Sequence, residues 1–194
     1  EINLNALVGN LNFYKSQLKP GVKVMAMVKA FSYGSGSFEI ANVLQYHKVD
    51  YLTVAYADEG ISLRKAGITL PIMVMSPEPS AFEAIVKYKL EPEIYNIEIL
   101  REFVKFLAGR QHYPVHLKID TGMHRLGFEA HEADILSATL AHQDRVKVIS
   151  AFSHFVGSDD PEQDDFTRVQ LNSFLHITDQ LKTQLGYSFI RHIA

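Results

Sequence analysis

The sequence predicts an α/β fold, a (β/α)8 TIM-type barrel that is incomplete at about seven strands. Three observations predict it. Short apolar runs alternate with helical patterns along the whole chain, as parallel strands joined by helices require. Most of the runs are continuously apolar and rich in Val, Ile, Met and aromatic residues, the pattern of strands covered on both faces. The chain has 194 residues, where a full barrel takes roughly 250. An open doubly wound sheet satisfies the first two observations and stays as the alternative.

The strands are expected at residues 22–30 (VKVMAMVKA), 51–56 (YLTVAY), 72–75 (IMVM), 93–95 with their flanks, 115–119 (VHLKI), 146–152 (VKVISAF) and 189–193 (FIRHI). A first helix precedes them, with Leu4, Leu7, Val8, Leu11 and Leu18 as its apolar stripe. Helices follow at residues 38–47, 58–66, 81–89 and roughly 132–142. Ile99, Leu100, Phe103, Phe106 and Leu107 form another stripe, closed by Gly109. Leu171, Phe174, Leu175, Thr178, Leu181 and Leu185 form the last, with Gly186 at its stop. Asp160-Pro161-Glu162-Gln163 reads as an N-cap, a proline at the first helical position and a capping-box glutamine.

Composition narrows the function classes. Apolar residues make up 47% and charged residues 21%, enough to build a core without staples. Cysteine is absent, which removes thiol nucleophiles, thiolate metal sites and disulfides. Nineteen basic and 22 acidic residues leave a charge of -3, with no basic bias toward nucleic acid. No apolar stretch approaches a membrane span and no signal-peptide pattern opens the chain, so a soluble globular protein is expected, and the absence of cysteine with the mild acidity fits a cytoplasmic one. The nine histidines show no HxH or HExxH spacing, so no metal site is expected. The acidic run at residues 158–165 lacks EF-hand spacing and reads better as a helix start.

In parallel α/β folds, sites gather at the carboxyl ends of the strands. Lys29 ends the first predicted strand behind an apolar wall, where desolvation favours the free amine that a Schiff base or proton abstraction needs. It also fits a lysine that snorkels to solvent. Tyr33 follows, either aiming a phenol at an anion or packing as a half-buried aromatic, and the Ser35-Gly36-Ser37 turn offers amides or an ordinary N-cap. Lys118 and Arg125 flank Asp120, as two anchors for an anion or as a strand lysine paired with Asp120 beside a loop arginine. His154 and His192 are candidates for acid/base work or satisfied core histidines.

The order of these motifs resembles the N-terminal barrel of the alanine racemase family, enzymes that use pyridoxal phosphate (PLP). The resemblance spans essentially all of residues 1–194, read as one PLP-binding barrel domain cut before strand 8. It rests on Ala26-Met27-Val28-Lys29-Ala30 with Tyr33-Gly34, and on Asp58-Glu59-Gly60 through Leu63-Arg64-Lys65-Ala66-Gly67-Ile68. Lys118-Ile119-Asp120-Thr121-Gly122-Met123-His124-Arg125-Leu126-Gly127, Ser153-His154-Phe155 and His192-Ile193-Ala194 complete it.

The resemblance implies an isomerase that interconverts L- and D-alanine by two-base proton transfer, for peptidoglycan. It implies that Lys29 holds PLP and serves as one base. Tyr33 would bind the cofactor phosphate, and Arg125 the ring 3-oxygen and the substrate carboxylate. His154 would lie beside the cofactor and help arrange the opposite-face base. Lys118 occupies a position that many racemases carbamylate. In the family the second base is a tyrosine of a C-terminal β-domain, contributed across a homodimer. That part lies beyond the present chain, so the chain alone is expected to be inactive, and its open sheet edge to favour dimerisation or poor solubility. Ser32-Tyr33-Gly34-Ser35-Gly36 and Gly157-Ser158-Asp159-Asp160-Pro161 depart from the common pattern. They resemble fused enzymes that join a UDP-N-acetylmuramoyl-tripeptide D-alanyl-D-alanine ligase to alanine racemase. A non-racemising PLP-binding barrel protein of cofactor homeostasis is the alternative.

Overall fold

The computed structural model describes residues 1–193; Ala194, the end of the closing His-Ile-Ala motif, lies outside the described residues. The chain divides into two compact units, Glu1–Pro92 and Glu93–Ala194, with the division inside the fourth strand.

The first unit runs α1 (Leu4–Gln17), β1 (Met25–Met27), α2 (Lys29–Gly34), α3 (Ser37–Tyr46), β2 (Tyr51–Val54), α4 (Ala57–Lys65), β3 (Ile72–Val74), α5 (Phe82–Lys87) and the start of β4 (Glu91–Ile94). Met25 pairs with Tyr51, Leu52 with Ile72, and Met73 with Glu91, all in parallel. Leu52, Val54, Ile72 and Val74 are fully buried, as their continuous apolar runs predicted. A helix must cross between parallel neighbours, and α4 makes its crossing close to the strands. A Cβ on Gly60 would meet both Leu90 methyls at 3.0 Å. Arg64, near the end of α4, donates to the carbonyls of Ile68, Leu70, Tyr88 and Lys89 and ties two helix-to-strand loops together.

α1 departs from expectation. Asn3 caps it by accepting the Ala6 N–H, but of the predicted stripe only Leu11 is buried, while Leu4 and Leu18 are exposed. Its periodicity sets the helix without setting a covered face.

The second unit continues from β4 through α6 (Ile97–Phe106), β5 (Tyr113–Lys118), α7 (Ala133–Ala141), β6 (Val146–Ser153), α8 (Asp164–Leu185) and β7 (Ile190–Ile193). Glu93 pairs with His116, Lys118 with Phe152, and Phe152 with His192, again in parallel. Asn96 caps α6 by accepting the Ile99 N–H at 2.8 Å. Leu100 and Phe103 are buried beneath α6, and Phe103 meets Tyr113 of β5 edge-on at 5.5 Å. Burying such a phenylalanine contributes about 1.5–3 kcal/mol. Gly186 stops α8 in a left-handed conformation at φ 72°, as predicted.

The start of α8 is a correction. Asp160 does cap, accepting the Glu162 N–H, but it caps a single 3-10 turn, Pro161–Gln163. Gln163 is then the N-cap residue of α8 rather than the third residue of a capping box. The strand–helix alternation, the parallel registers and the neighbouring of successive strands are those of the first seven strands of a (β/α)8 fold.

Candidate active site

Lys29 stands two residues beyond β1 and opens α2, where the expected long first strand has already ended. The backbone that follows is unusual. Ala30, Phe31, Ser32 and Tyr33 have φ of 51°, 55°, 49° and 56°, a left-handed turn made by four consecutive residues with side chains. Each such residue costs roughly 1–2 kcal/mol, so the turn needs outside support.

Glu59 supplies it. One oxygen of its carboxylate accepts the Ala30 N–H at 2.7 Å, and the other accepts those of Ala55 at 2.6 Å and Tyr56 at 3.2 Å. The start of α4 and the residue after Lys29 are thereby pinned to one side chain. Val28 anchors the other side, donating its N–H to the Thr53 carbonyl at 2.9 Å. The Ser35 and Gly36 amides close back onto the Ser32 and Phe31 carbonyls, so they serve the turn itself. Lys29 is half-buried, and Tyr33 is 68% exposed with its hydroxyl donating to Met27 Sδ. Two buried hydroxyls of this unit, Ser32 Oγ and Thr53 Oγ1, have no hydrogen-bond partner among the described residues.

The second unit holds the other candidates. Lys118 ends β5 almost fully buried, with Nζ 4.5 Å from the Phe152 ring centroid. Burial pushes its ammonium below the ordinary lysine range; the Glu93 carboxylate opposes this, the Arg125 guanidinium adds to it, and Asp120 opposes it further. The loop after β5 returns on itself. Asp120 donates its N–H to the Phe128 carbonyl, and Phe128 donates to that of Lys118, both at 2.9 Å. Asp120 Oδ1 accepts the N–H groups of Gly122, Met123 and His124. Asp120 is therefore chiefly the organiser of the loop that displays the exposed Arg125, rather than simply an ion partner of Lys118.

Gln170 of α8, fully buried, joins this loop to the next. Its amide donates to Thr121 Oγ1 at 3.4 Å and to the His154 carbonyl at 3.1 Å, and its oxygen accepts the Val156 N–H. The His154 side chain is exposed at the end of β6. Arg191 is taken up in an ion pair with Asp179 at 2.8 Å, while His192 turns to Ser150. Sequence reasoning missed Glu59, Gln170 and the buried pair His116–Ser150 as functional parts, although Glu59 lies inside a motif it singled out.

The donor set of the first unit fits PLP: a half-buried amine stands just past a strand's carboxyl end, with a phenol on the same turn and two orphaned buried hydroxyls in the same unit. Taken by itself, the second unit offers the exposed Arg125 guanidinium to an anionic group. Among the described residues no cluster of His, Cys, Asp or Glu could hold a metal, and no helix is long and apolar enough to cross a membrane.

Known proteins resemble the chain along its whole length. An alanine racemase of Thermodesulfovibrio yellowstonii is 37% identical over 199 residues, covering 100% of this chain and 53% of that protein. Alanine racemase 1 of Oceanobacillus iheyensis is 34% identical over 196 residues, covering 99% and 52%. The solved alanine racemase of Clostridium difficile 630 superposes with a TM-score of 0.91 at 32% identity, covering 100% of this chain and 54% of that one. The chain thus spans about half the length of the relatives it matches. The family profile described as alanine racemase, N-terminal domain, matches residues 2–194. By fold, by motif order and by this match, the chain belongs to the alanine racemase N-terminal domain family.

Proposed function

We propose that this chain is the cofactor-binding barrel part of a PLP-dependent alanine racemase that interconverts L- and D-alanine for peptidoglycan. The observation that carries the reading is the Lys29 turn: an amine at the end of β1, on strained backbone that Glu59 holds in place. Strain of this kind persists where the surroundings over-determine it, which is the condition of a functional site. The names of the similar proteins support the substrate.

Lys29 binds PLP and moves the α-proton on one face of the substrate. Tyr33 holds the cofactor phosphate, and Arg125 holds the ring 3-oxygen and the substrate carboxylate. His154 helps arrange the base on the opposite face, which the partner of a homodimer contributes. When bound, PLP spreads the negative charge left on Cα after proton removal. The protein's part is to place one proton donor or acceptor on each face. The lowered pKa of Lys118 supports its carbamylation, because the neutral amine is the form that adds carbon dioxide. The Ser32-Tyr33-Gly34-Ser35-Gly36 and Gly157-Ser158-Asp159-Asp160-Pro161 variants favour a ligase–racemase fusion in the cytoplasm.

The test is PLP binding and alanine racemisation by the full-length protein and its Lys29→Ala variant. Visible absorbance of lysine-bound PLP and conversion of L-alanine are both expected, and both are lost in the variant. PLP binding without racemisation gives the homeostasis reading, and no Lys29-dependent absorbance removes the cofactor assignment.

A further inference from the structure

α8 lays a buried stripe of Gln170, Phe174, Ile177, Thr178 and Leu181 into the second unit. The glutamine that heads this apolar stripe has none of its surface exposed. A buried amide is costly unless its two N–H groups and its oxygen all find partners. Here they do. Nε2 donates to Thr121 Oγ1 at 3.4 Å and to the His154 carbonyl at 3.1 Å, and Oε1 accepts the Val156 N–H at 3.1 Å.

Proton counting gives the direction of every bond in this cluster, and none of its groups titrates. Ser153, the last residue of β6, donates its one hydroxyl proton to the Ile119 carbonyl at 2.8 Å. Its Oγ is therefore the acceptor toward Thr121 Oγ1, 2.8 Å away. Thr121 has then given its own proton and only accepts from Gln170. The donors run one way, from Gln170 through Thr121 and Ser153 to Ile119. The backbone fixes which end of the amide is nitrogen, because the His154 carbonyl needs a donor and the Val156 N–H an acceptor.

These partners lie on two segments. Thr121 belongs to the turn after β5 in which Asp120 Oδ1 gathers the N–H groups of Gly122, Met123 and His124, and Arg125 follows directly. His154 and Val156 lie just past β6. Phe166, four residues before Gln170 and so on the same face of α8, braces the first of these segments. A Cβ on Gly122 would stand 2.9 Å from its ring. The side-chain amide is planar, so a shift of either segment tilts the plane and misaligns its bonds to the other.

We propose, on the reading of Arg125 and His154 as racemase site residues, that Gln170 is a positioning residue which holds the Arg125 turn and the His154 segment in one fixed relation. It acts through their backbone. It sets where each side chain starts, and so keeps guanidinium and imidazole at one spacing.

The test is hydrogen exchange of the Val156 amide in the full-length protein, with amides in the middle of α6 as reference. Thr121→Val removes a hydroxyl that reaches Val156 only by way of Gln170. It is expected to speed Val156 exchange about tenfold or more relative to α6, and Thr121→Ser restores the wild-type rate. Gln170→Met has already lost the Val156 bond, so adding Thr121→Val to it changes that exchange by less than about twofold. Val156 exchange indifferent to Thr121→Val, a rise matched throughout α6, or full additivity overturns the coupling. Thr121→Val against Thr121→Ser decides alone where Gln170→Met does not fold. Racemisation gives the second readout: kcat/KM for alanine falls about tenfold or more in Thr121→Val, with Lys29-dependent PLP absorbance retained, and recovers in Thr121→Ser. Unchanged kcat/KM overturns the positioning role. A wild type that does not racemise alanine defeats the racemase reading instead, and the exchange cycle, which reads backbone and not turnover, still decides the coupling.

Discussion

The Glu59 carboxylate accepts the N–H of Ala30 at 2.7 Å, one residue beyond Lys29 and 29 positions away in the chain. This bond joins the start of α4 to the strained turn that carries the candidate base. The same side chain takes two further N–H groups, and charge-assisted bonds of this kind are among the stronger ones.

Glu59→Gln keeps the volume but replaces one accepting oxygen with an amide that faces donors. The expected loss is about 1–3 kcal/mol in urea unfolding, with PLP capture by Lys29 weakened more than the fold. An absorbance titration with PLP reads the second effect. Capture unchanged in a destabilised variant means that Glu59 supports the fold without aiming Lys29.

Gly127 closes the Arg125 loop at φ 126°, and an added Cβ would lie 2.6 Å from the Asp120 nitrogen and 2.8 Å from the Ile119 carbonyl carbon. Both neighbours are backbone and cannot swing aside. Gly127→Ala is expected to cost about 2 kcal/mol or more, through strain and the loss of the Asp120–Phe128 pairing. Amide exchange at Asp120 and Phe128 should rise well above its wild-type rate. Unchanged exchange there would mean that the loop is not held by this pairing.

His192 predicts a specific acid sensitivity. Its folded pKa of about 4 lies below the ordinary 6.5, so the unfolded chain takes up the proton first as pH falls. Its contribution is intact above pH 6.5 and is lost progressively down to about 4. Over that window the wild type should lose up to ~3 kcal/mol that His192→Gln does not lose. Urea midpoints measured across the window decide it, and parallel curves for the two proteins would show that His192 titrates normally.

Lys118 predicts the opposite dependence for a chemical reaction. Because burial lowers its ammonium pKa, the neutral fraction at pH 8 exceeds that of a surface lysine and grows as pH rises. With ¹³C-bicarbonate, a carbamate signal should appear, strengthen from about pH 7 to 9 and vanish in Lys118→Arg. A carbamate signal that survives the substitution belongs to another amine.

The sequence by itself determined the order of strands and helices, because that order is written in local periodicity: continuous apolar runs between stripes, with Gly186 at a stop. It also placed Lys29, Lys118, Arg125 and His154 at or just past strand ends, since a site on this fold follows from where each strand finishes. It overextended the first strand, and it gave α1 a covered stripe although most of that helix's apolar side chains face solvent. The tertiary structure alone decided that Ala30 to Tyr33 run left-handed without one glycine among them, because the support comes from Glu59 across the fold. It alone decided that a skipped Ile149 sets Ser150 against His116 and His192. Those bonds join residues 29 to 42 positions apart. Local propensity acts over a few residues, whereas a carboxylate or hydroxyl takes its partners from whatever the packed strands bring within 3 Å or so.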